Sequence, residues 1–187
     1  MEKILGIFDK FPFLSDSAKT GFLSNLEEVE FNKGDLLAKE GEVSQYLYYF
    51  SEGAARSYYS RNNRDITVSF TLAGEFVTAM HSFITRKPSY ENIETLEKSK
   101  AYRISHDTLE NMFVNYPETE RAYRLILEEY YIVLEERQIF SKFKTAKERY
   151  LELMEYRPKV IQKASVGHIA SYLDMSIETL SRIRSKI

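Results

Sequence analysis

The sequence predicts an α+β chain: an N-terminal antiparallel β-roll of the double-stranded jelly-roll type, a long helix, and a C-terminal helix-turn-helix. Three observations predict it. Between Leu26 and Ile104, short runs rich in Tyr, Phe, Val, Ile and Thr alternate with glycine turns, the pattern of a small antiparallel barrel or roll. From Pro117 to about Lys142, apolar residues recur at helical spacing over the longest such stretch in the chain. In Ser165–Ile187, two apolar blocks flank the break Asp174-Met175-Ser176.

Each element follows in order. Ile4, Leu5, Phe8 and Phe11 form a helical stripe that Pro12 interrupts, and Ser15 with Asp16 starts a second short helix reaching Phe22 and Leu23. In the roll, Val29 and Phe31 alternate with acids. Strands are expected at Tyr46–Phe50, Ala54–Ser60 and Asp65–Thr71. Turns are expected at Lys33-Gly34-Asp35, Glu40-Gly41-Glu42, Glu52-Gly53, Asn62-Asn63-Arg64-Asp65 and Ala73-Gly74-Glu75. Such a roll can enclose a small-molecule pocket. A short helix covers Asp107 to Asn115, with Leu109, Met112 and Phe113 inward.

The long helix opens on Pro117, with Glu118 and Glu120 at its positive end. Tyr123, Leu127, Tyr130 and Leu134 make one stripe, and Leu125, Ile132 and Ile139 a second. Two stripes are more apolar surface than one packing contact needs. One can meet the roll and the other a twin helix, so a dimer seam is favoured over a wide core stripe. A further helix holds Tyr150, Leu151, Leu153 and Met154, Arg157-Pro158 ends it, and a basic link runs through Lys163. The expected division is 1–116, 117–142 and 143–187.

In the terminal segment, Ile169, Ala170 and Leu173 share one helical face, and Leu180, Ile183 and Ile187 share another. Asp174 suits a left-handed turn, and Ser176 suits an N-cap. Glu178, Thr179, Ser181, Arg182, Ser185 and Lys186 then face outward, where polar groups can reach phosphates and base edges.

Composition narrows the function. The chain has 187 residues, 43% hydrophobic and 29% charged, which marks it as globular. It has no cysteine, which excludes disulfides, thiol nucleophiles and cysteine metal sites. His81, His106 and His168 lack ligand spacing, so neither metal nor cofactor is expected. Ile4–Phe8 is too short an apolar run for a signal peptide or a membrane span, so a cytoplasmic protein without membrane contact is expected. Charge is uneven. Residues 141–187 carry ten Lys/Arg against five acids, +5, and the rest carries 16 against 23, −7. That asymmetry fits a nucleic-acid-binding end on an acidic body.

The order of roll, long helix and helix-turn-helix resembles the Crp/Fnr family of bacterial transcription regulators. The resemblance rests on Phe31-Asn-Lys-Gly-Asp-Leu-Leu with Glu40-Gly41-Glu42, on Gly53 with Arg56, on Ala73-Gly74-Glu75-Phe76, and on the two terminal blocks Ile169-Ala-Ser-Tyr-Leu and Thr179-Leu-Ser-Arg-Ile-Arg-Ser-Lys-Ile187. Pro88 to Glu97 and the Leu-Ser-Arg-Ile-Arg ending look like the branch common in Bacteroidetes. The resemblance implies a cyclic-nucleotide-binding-domain-like roll, similar to that of cAMP receptor protein, a homodimer joined by the long helix, and a DNA-binding end.

It implies site residues one by one. Gly74, Glu75 and Phe76 open the ligand cassette. Thr78-Ala79 then stands where cAMP-binding members carry Gly-Glu for the ribose, and Ser89-Tyr90 where they carry Arg-Ser for the cyclic phosphate. A phosphate without its arginine loses a partner worth roughly 1.5–3 kcal/mol, so cAMP is not expected as a tight ligand. An unidentified effector, or a purely structural roll, comes first. Arg86 and Lys87 are expected in solvent. In the second helix of the pair, Glu178 and Arg182 match base-contacting positions and Ser176 and Thr179 match positions near phosphate. Ile177 replaces an arginine of the best-known members. Arg182 is expected on guanine, Glu178 on cytosine, and Lys186 and Lys163 on phosphate. Read to Ile187, the sequence is expected to lack the family's terminal hairpin.

The leading expectation is thus a dimeric regulator of double-stranded DNA. The alternative is a sensory and dimerisation module without sequence-specific DNA binding. A cupin-like enzyme ranks last, because the roll offers only His81 as a metal ligand of that kind.

Overall fold

The computed structural model describes residues 2–62, 64–140 and 142–187. Of the expected elements, Asn63 of the 62–65 turn and Ser141 near the end of the long helix lie outside the described residues. The chain opens with α1 (Glu2–Leu5), a 3-10 turn at Phe8–Lys10 and α2 (Asp16–Ser24). Ser15 caps α2 by accepting from Ala18 N–H, a contact worth about 1 kcal/mol.

The roll follows as β1 (Glu27–Phe31), β2 (Leu36–Ala38), β3 (Tyr46–Glu52), β4 (Ala54–Arg61), β5 (Arg64–Leu72) and β6 (Phe76–Val77). After α3 (Met80–Thr85) come β7 (Asn92–Thr95) and β8 (Ser99–Ser105). All strand pairs are antiparallel. They form two four-stranded sheets, β1-β8-β3-β6 and β2-β7-β4-β5. Between the sheets lie Tyr48, Phe50, Ala55, Ile93 and Ala101. Because side chains alternate along a strand, Leu47, Tyr49, Tyr102 and Ile104 emerge on the outside of the first sheet. Ala54, Phe70, Leu72 and Leu96 emerge outside the second. Gly53 turns β3 into β4 at φ +93°, and a Cβ there would lie 2.1 Å from Ser99 Oγ. Only glycine fits both demands.

The helices α4 (His106–Asn115), α5 (Pro117–Phe140), α6 (Ala146–Tyr156), α7 (Pro158–Lys163), α8 (Val166–Tyr172) and α9 (Ile177–Arg184) complete the chain. The first half of α5 packs on the body: Ala122 joins Phe11 and Leu14, and Tyr123 meets Phe113. The second half is largely open, apart from Arg137, which donates to Val68 O and Tyr172 O. Tyr130, Tyr131, Ile132, Val133 and Leu134 are each 42–64% exposed. No helix is long and apolar enough to cross a membrane among the described residues.

Three expectations are corrected. The basic link after Arg157 is the helix α7, since Pro158 occupies a first-turn position where its missing N–H costs nothing. Ile187 does not join the terminal core, because α9 ends at Arg184 and Ile187 is 59% exposed. Arg86 is not left to solvent: it caps α3 in the left-handed region and donates to Ser44 O, Phe83 O and Gln45 Oε1.

Candidate functional site

Two regions bear on function: the solvent face of α9, and the cassette between Gly74 and Glu91. The first is built on a small helical core. Tyr150, Leu153, Val160, Ile169, Ala170, Leu173 and Leu180 are buried together. Thr145 and Glu148 form a reciprocal capping box at the start of α6. Between α8 and α9, Asp174 takes φ +50°, and Met175 N–H reaches back to Ala170 O at 3.0 Å. Arg149 braces this turn from α6, donating to Leu173 O, Asp174 O and Lys144 O. In the sequence Arg149 shows only as one charge of the basic segment. No local pattern marks a cation that holds carbonyls 24 and 25 residues away.

Ser176 caps α9 by accepting from Thr179 N–H at 3.1 Å. Leu180 is the anchor, with no exposed surface. Ile177, Glu178, Ser181 and Arg182 are exposed, Thr179 is half-buried, and Lys186 is exposed beyond the helix end. Arg182 Nη2 donates to Thr179 Oγ1 at 3.2 Å, one turn back along the helix. The Glu178 carboxyl is held below its ordinary value, first by its own backbone N–H, then by the Ser176 hydroxyl and the Arg182 charge. An ionised, acceptor-only group therefore stands beside a guanidinium on one open face. Lys163 is placed differently from expectation: it pairs with Glu97 of the roll.

The cassette residues do not converge on one hollow. Gly74 makes the turn at φ +97°. Glu75 accepts from Leu72 N–H and from Arg157. Phe76 packs on Tyr49 at 5.1 Å between ring centres. Thr78 donates to Tyr46 O and shares a hydrogen bond with Ser44, and Ala79 is buried between the sheets. Ser89 is buried and closed on Glu91, donating to its carbonyl and accepting from its N–H. Tyr90 is 64% exposed, its ring 4.8 Å from that of His81. Beside them, burial pushes the Glu91 carboxyl up to about 7. A cavity of about 60 Å³ lies elsewhere, between the N-terminal helices and α4–α5, among Phe8, Phe11, Phe22, Met112, Tyr123 and Ile126.

Arg56 is a functional candidate whose partners the sequence did not reveal. It is buried on the outer face of β4 and donates to Glu94 Oε1 at 2.6 Å, Asp65 Oδ2 at 2.8 Å and Thr67 Oγ1 at 3.2 Å, with its guanidinium 4.0 Å above the Tyr58 ring. Its donors are occupied and it faces α8, so it ties β4, β5 and β7 together beneath the helical end.

Residues 28–116 match the sequence family described as the cyclic nucleotide-binding domain. No curated protein matches the chain. Solved structures do. The c-di-GMP responsive global regulator CLP of Xanthomonas campestris is 18% identical over 92% of this chain and 91% of that one, with a TM-score of 0.71. FixK2 from Bradyrhizobium japonicum is 22% identical over 86% and 83%, with a TM-score of 0.70. The Thermus thermophilus catabolite activator protein is 15% identical over 96% and 85%, with a TM-score of 0.60. At such identities the likeness is one of fold. The protein is a roll of the cyclic nucleotide-binding kind followed by a helical end, a fold it shares with these three structures.

Proposed function

We propose that the protein is a DNA-binding transcription regulator of the Crp/Fnr type: a homodimer joined along α5, reading a two-fold symmetric site through residues 176–187, with a roll that cAMP does not gate. In this reading residues 1–116 are the effector-type unit, 117–142 the dimerisation helix and 143–187 the reader. The observation that carries it is the α9 face, where Glu178 and Arg182 stand open to solvent on a helix anchored by buried Leu180. Arg182 reads guanine and Glu178 accepts from cytosine. Ser176 and Thr179 lie near phosphate, Lys186 contacts it, and Ile177 and Ser181 meet the groove between. Exposed Tyr130–Leu134 supports the dimer, because a twin helix would cover apolar surface that the single chain leaves in water.

Two observations speak against cAMP. Ser89 is already hydrogen-bonded to the backbone of Glu91, and no guanidinium is offered by Arg86, which is held by Ser44 and Gln45. Glu91, ionised above about pH 7, would also repel a cyclic phosphate.

Selection of bound duplexes from a random pool, with and without cAMP, tests both halves. A two-fold symmetric site recovered equally under both conditions is expected. A site recovered only with cAMP would remove the gating half. Arg182→Ala should lose about 1–3 kcal/mol on the selected site and relax one base position.

A second reading, a sensory and dimerisation module without sequence-specific DNA binding, is favoured by one observation: Lys163, expected on phosphate, sits on Glu97. Absence of duplex binding at low salt would select it.

A further inference from the structure

Two ion pairs cross from the roll to the helical end. Glu75, just after the Gly74 turn, receives Arg157 Nη2 at 2.7 Å on each carboxylate oxygen. Glu97, just after β7, receives Lys163. The four side chains are only 27–43% exposed, because they rim an apolar contact in which Phe70, Leu72 and Leu96 meet Val160, Ile169 and Leu173. Pairs so placed attract more strongly than pairs in open water, yet remain within reach of salt.

Their cations flank α7, the helix directly ahead of α8 and α9. They belong to the +5 terminal segment, and their partners to the acidic body. A carboxylate seated on Arg or Lys also offers those side chains the same chemistry as a backbone phosphate: anionic oxygens accepting charge-assisted hydrogen bonds.

We propose that Glu75 and Glu97 stand in for DNA phosphates: they hold Arg157 and Lys163 on the roll, so that the roll and duplex DNA compete for these two cations. The inference rests on the DNA-reading function proposed above. It makes the roll an electrostatic restraint on the reader that needs no ligand in the cassette. Each withheld cation lowers the slope of log affinity against log salt by about 0.9. The dock itself does not depend on the two acids. Thr67 N–H donates to Ser171 Oγ at 2.9 Å. Arg137 of α5 donates to Val68 O and to Tyr172 O, with its guanidinium 4.1 Å above the Tyr172 ring. Removing the two charges therefore leaves a folded, docked protein in which the cations are free.

The test compares two double variants of the full chain. Glu75→Gln with Glu97→Gln removes the restraint, and the amide introduced by Glu75→Gln keeps an oxygen for the Leu72 N–H. Glu28→Gln with Glu52→Gln removes two roll acids outside the seam. Both variants take the net charge from −2 to 0, so long-range attraction rises equally. Binding of a duplex of random sequence, about 30 bp long, is titrated against salt, with a thermal melt to confirm that each variant is folded. The first variant should bind roughly tenfold tighter than the second at moderate salt, with a slope steeper by nearly two. Equal affinity and slope in both would overturn the restraint while leaving DNA binding intact. No duplex binding by the parent or either variant would remove the DNA-reading function and this inference together.

Discussion

The roll has two outer faces, and the chain covers them with its opposite ends in different ways. The first sheet lies under α1, α2 and α4, where Ile4, Phe22 and Leu26 close over Leu47, Tyr49 and Tyr102. That cover is mainly apolar contact. The second sheet lies under α6–α8, where Phe70 stacks 5.0 Å from Tyr172 and the apolar contact is rimmed by Arg157–Glu75, Lys163–Glu97, Ser171 and Arg137. Apolar cover responds little to salt, whereas a charged rim responds to it. One cover is therefore expected to be indifferent to salt, and the other to loosen at its rim as salt rises.

The largest test of that contrast is Arg56. Its loss would leave Glu94 and Asp65 without their shared cation beneath the second cover. Arg56→Ala should cost roughly 3–5 kcal/mol in urea denaturation. Ile4→Ala and Leu180→Ala should each cost about 3 kcal/mol, since both side chains have no exposed surface. Their salt dependence separates the faces. The Ile4 variant should unfold in parallel with the parent at all salt concentrations, whereas salt should bring the parent's seam closer to that of Glu75→Gln with Glu97→Gln.

Proton dependence gives effects of two opposite signs. Glu91 is raised from 4.5 to about 7 by burial. Its folded form prefers the proton, so stability present below about pH 4.5 is lost as pH climbs towards 7. Glu91→Gln should flatten that loss in melts across the range. His168, on α8, is lowered from 6.5, first by burial and then by the Arg56 charge, and its Nδ1 is buried without a partner. Stability is therefore present above pH 6.5 and lost as pH falls below it. His168→Gln should remove that acid-side loss. Because the two effects oppose each other and can cancel in the parent, each variant is compared with it: a variant whose melting profile against pH matched the parent's would contradict the assignment of that residue.

The smallest effects come from the caps. Ser15→Ala on the first cover and Thr145→Ala on the second helical unit should each cost about 1 kcal/mol. Ser15 also donates to Glu118 at the start of α5 at 2.6 Å, so its loss should reach α5, which a chemical-shift map would show.

Much of this architecture was legible before any coordinates. The strands expected at 46–50, 54–60 and 65–71 appear as β3, β4 and β5 with ends extended by one or two residues. Ser15, Asp174 and Ser176 do what their side chains favour locally. The misses share one cause. α3 and α7 are six residues each, less than two turns, and are held by tertiary contacts: buried Ser82 accepts from Ser44 N–H and donates to Lys87 O. Arg149 and Arg157 looked like ordinary charges because the long-range partners that fix them lie 24 to 82 residues away.

What the sequence determined by itself is periodic or local: the alternation that makes strands, the spacing that makes helices, the residues that cap and turn them, and the excess of positive charge at the end. These depend on neighbours a few positions apart, which the order of residues states directly. What only the tertiary structure decided is the pairing of distant charges: which cations of the terminal segment face outward on α9 and which lie against the roll. Glu75 illustrates it. The family pattern placed it in a ligand cassette, and the folded chain turns its carboxylate to Arg157, because the second sheet's apolar outer face draws the helical end down beside it.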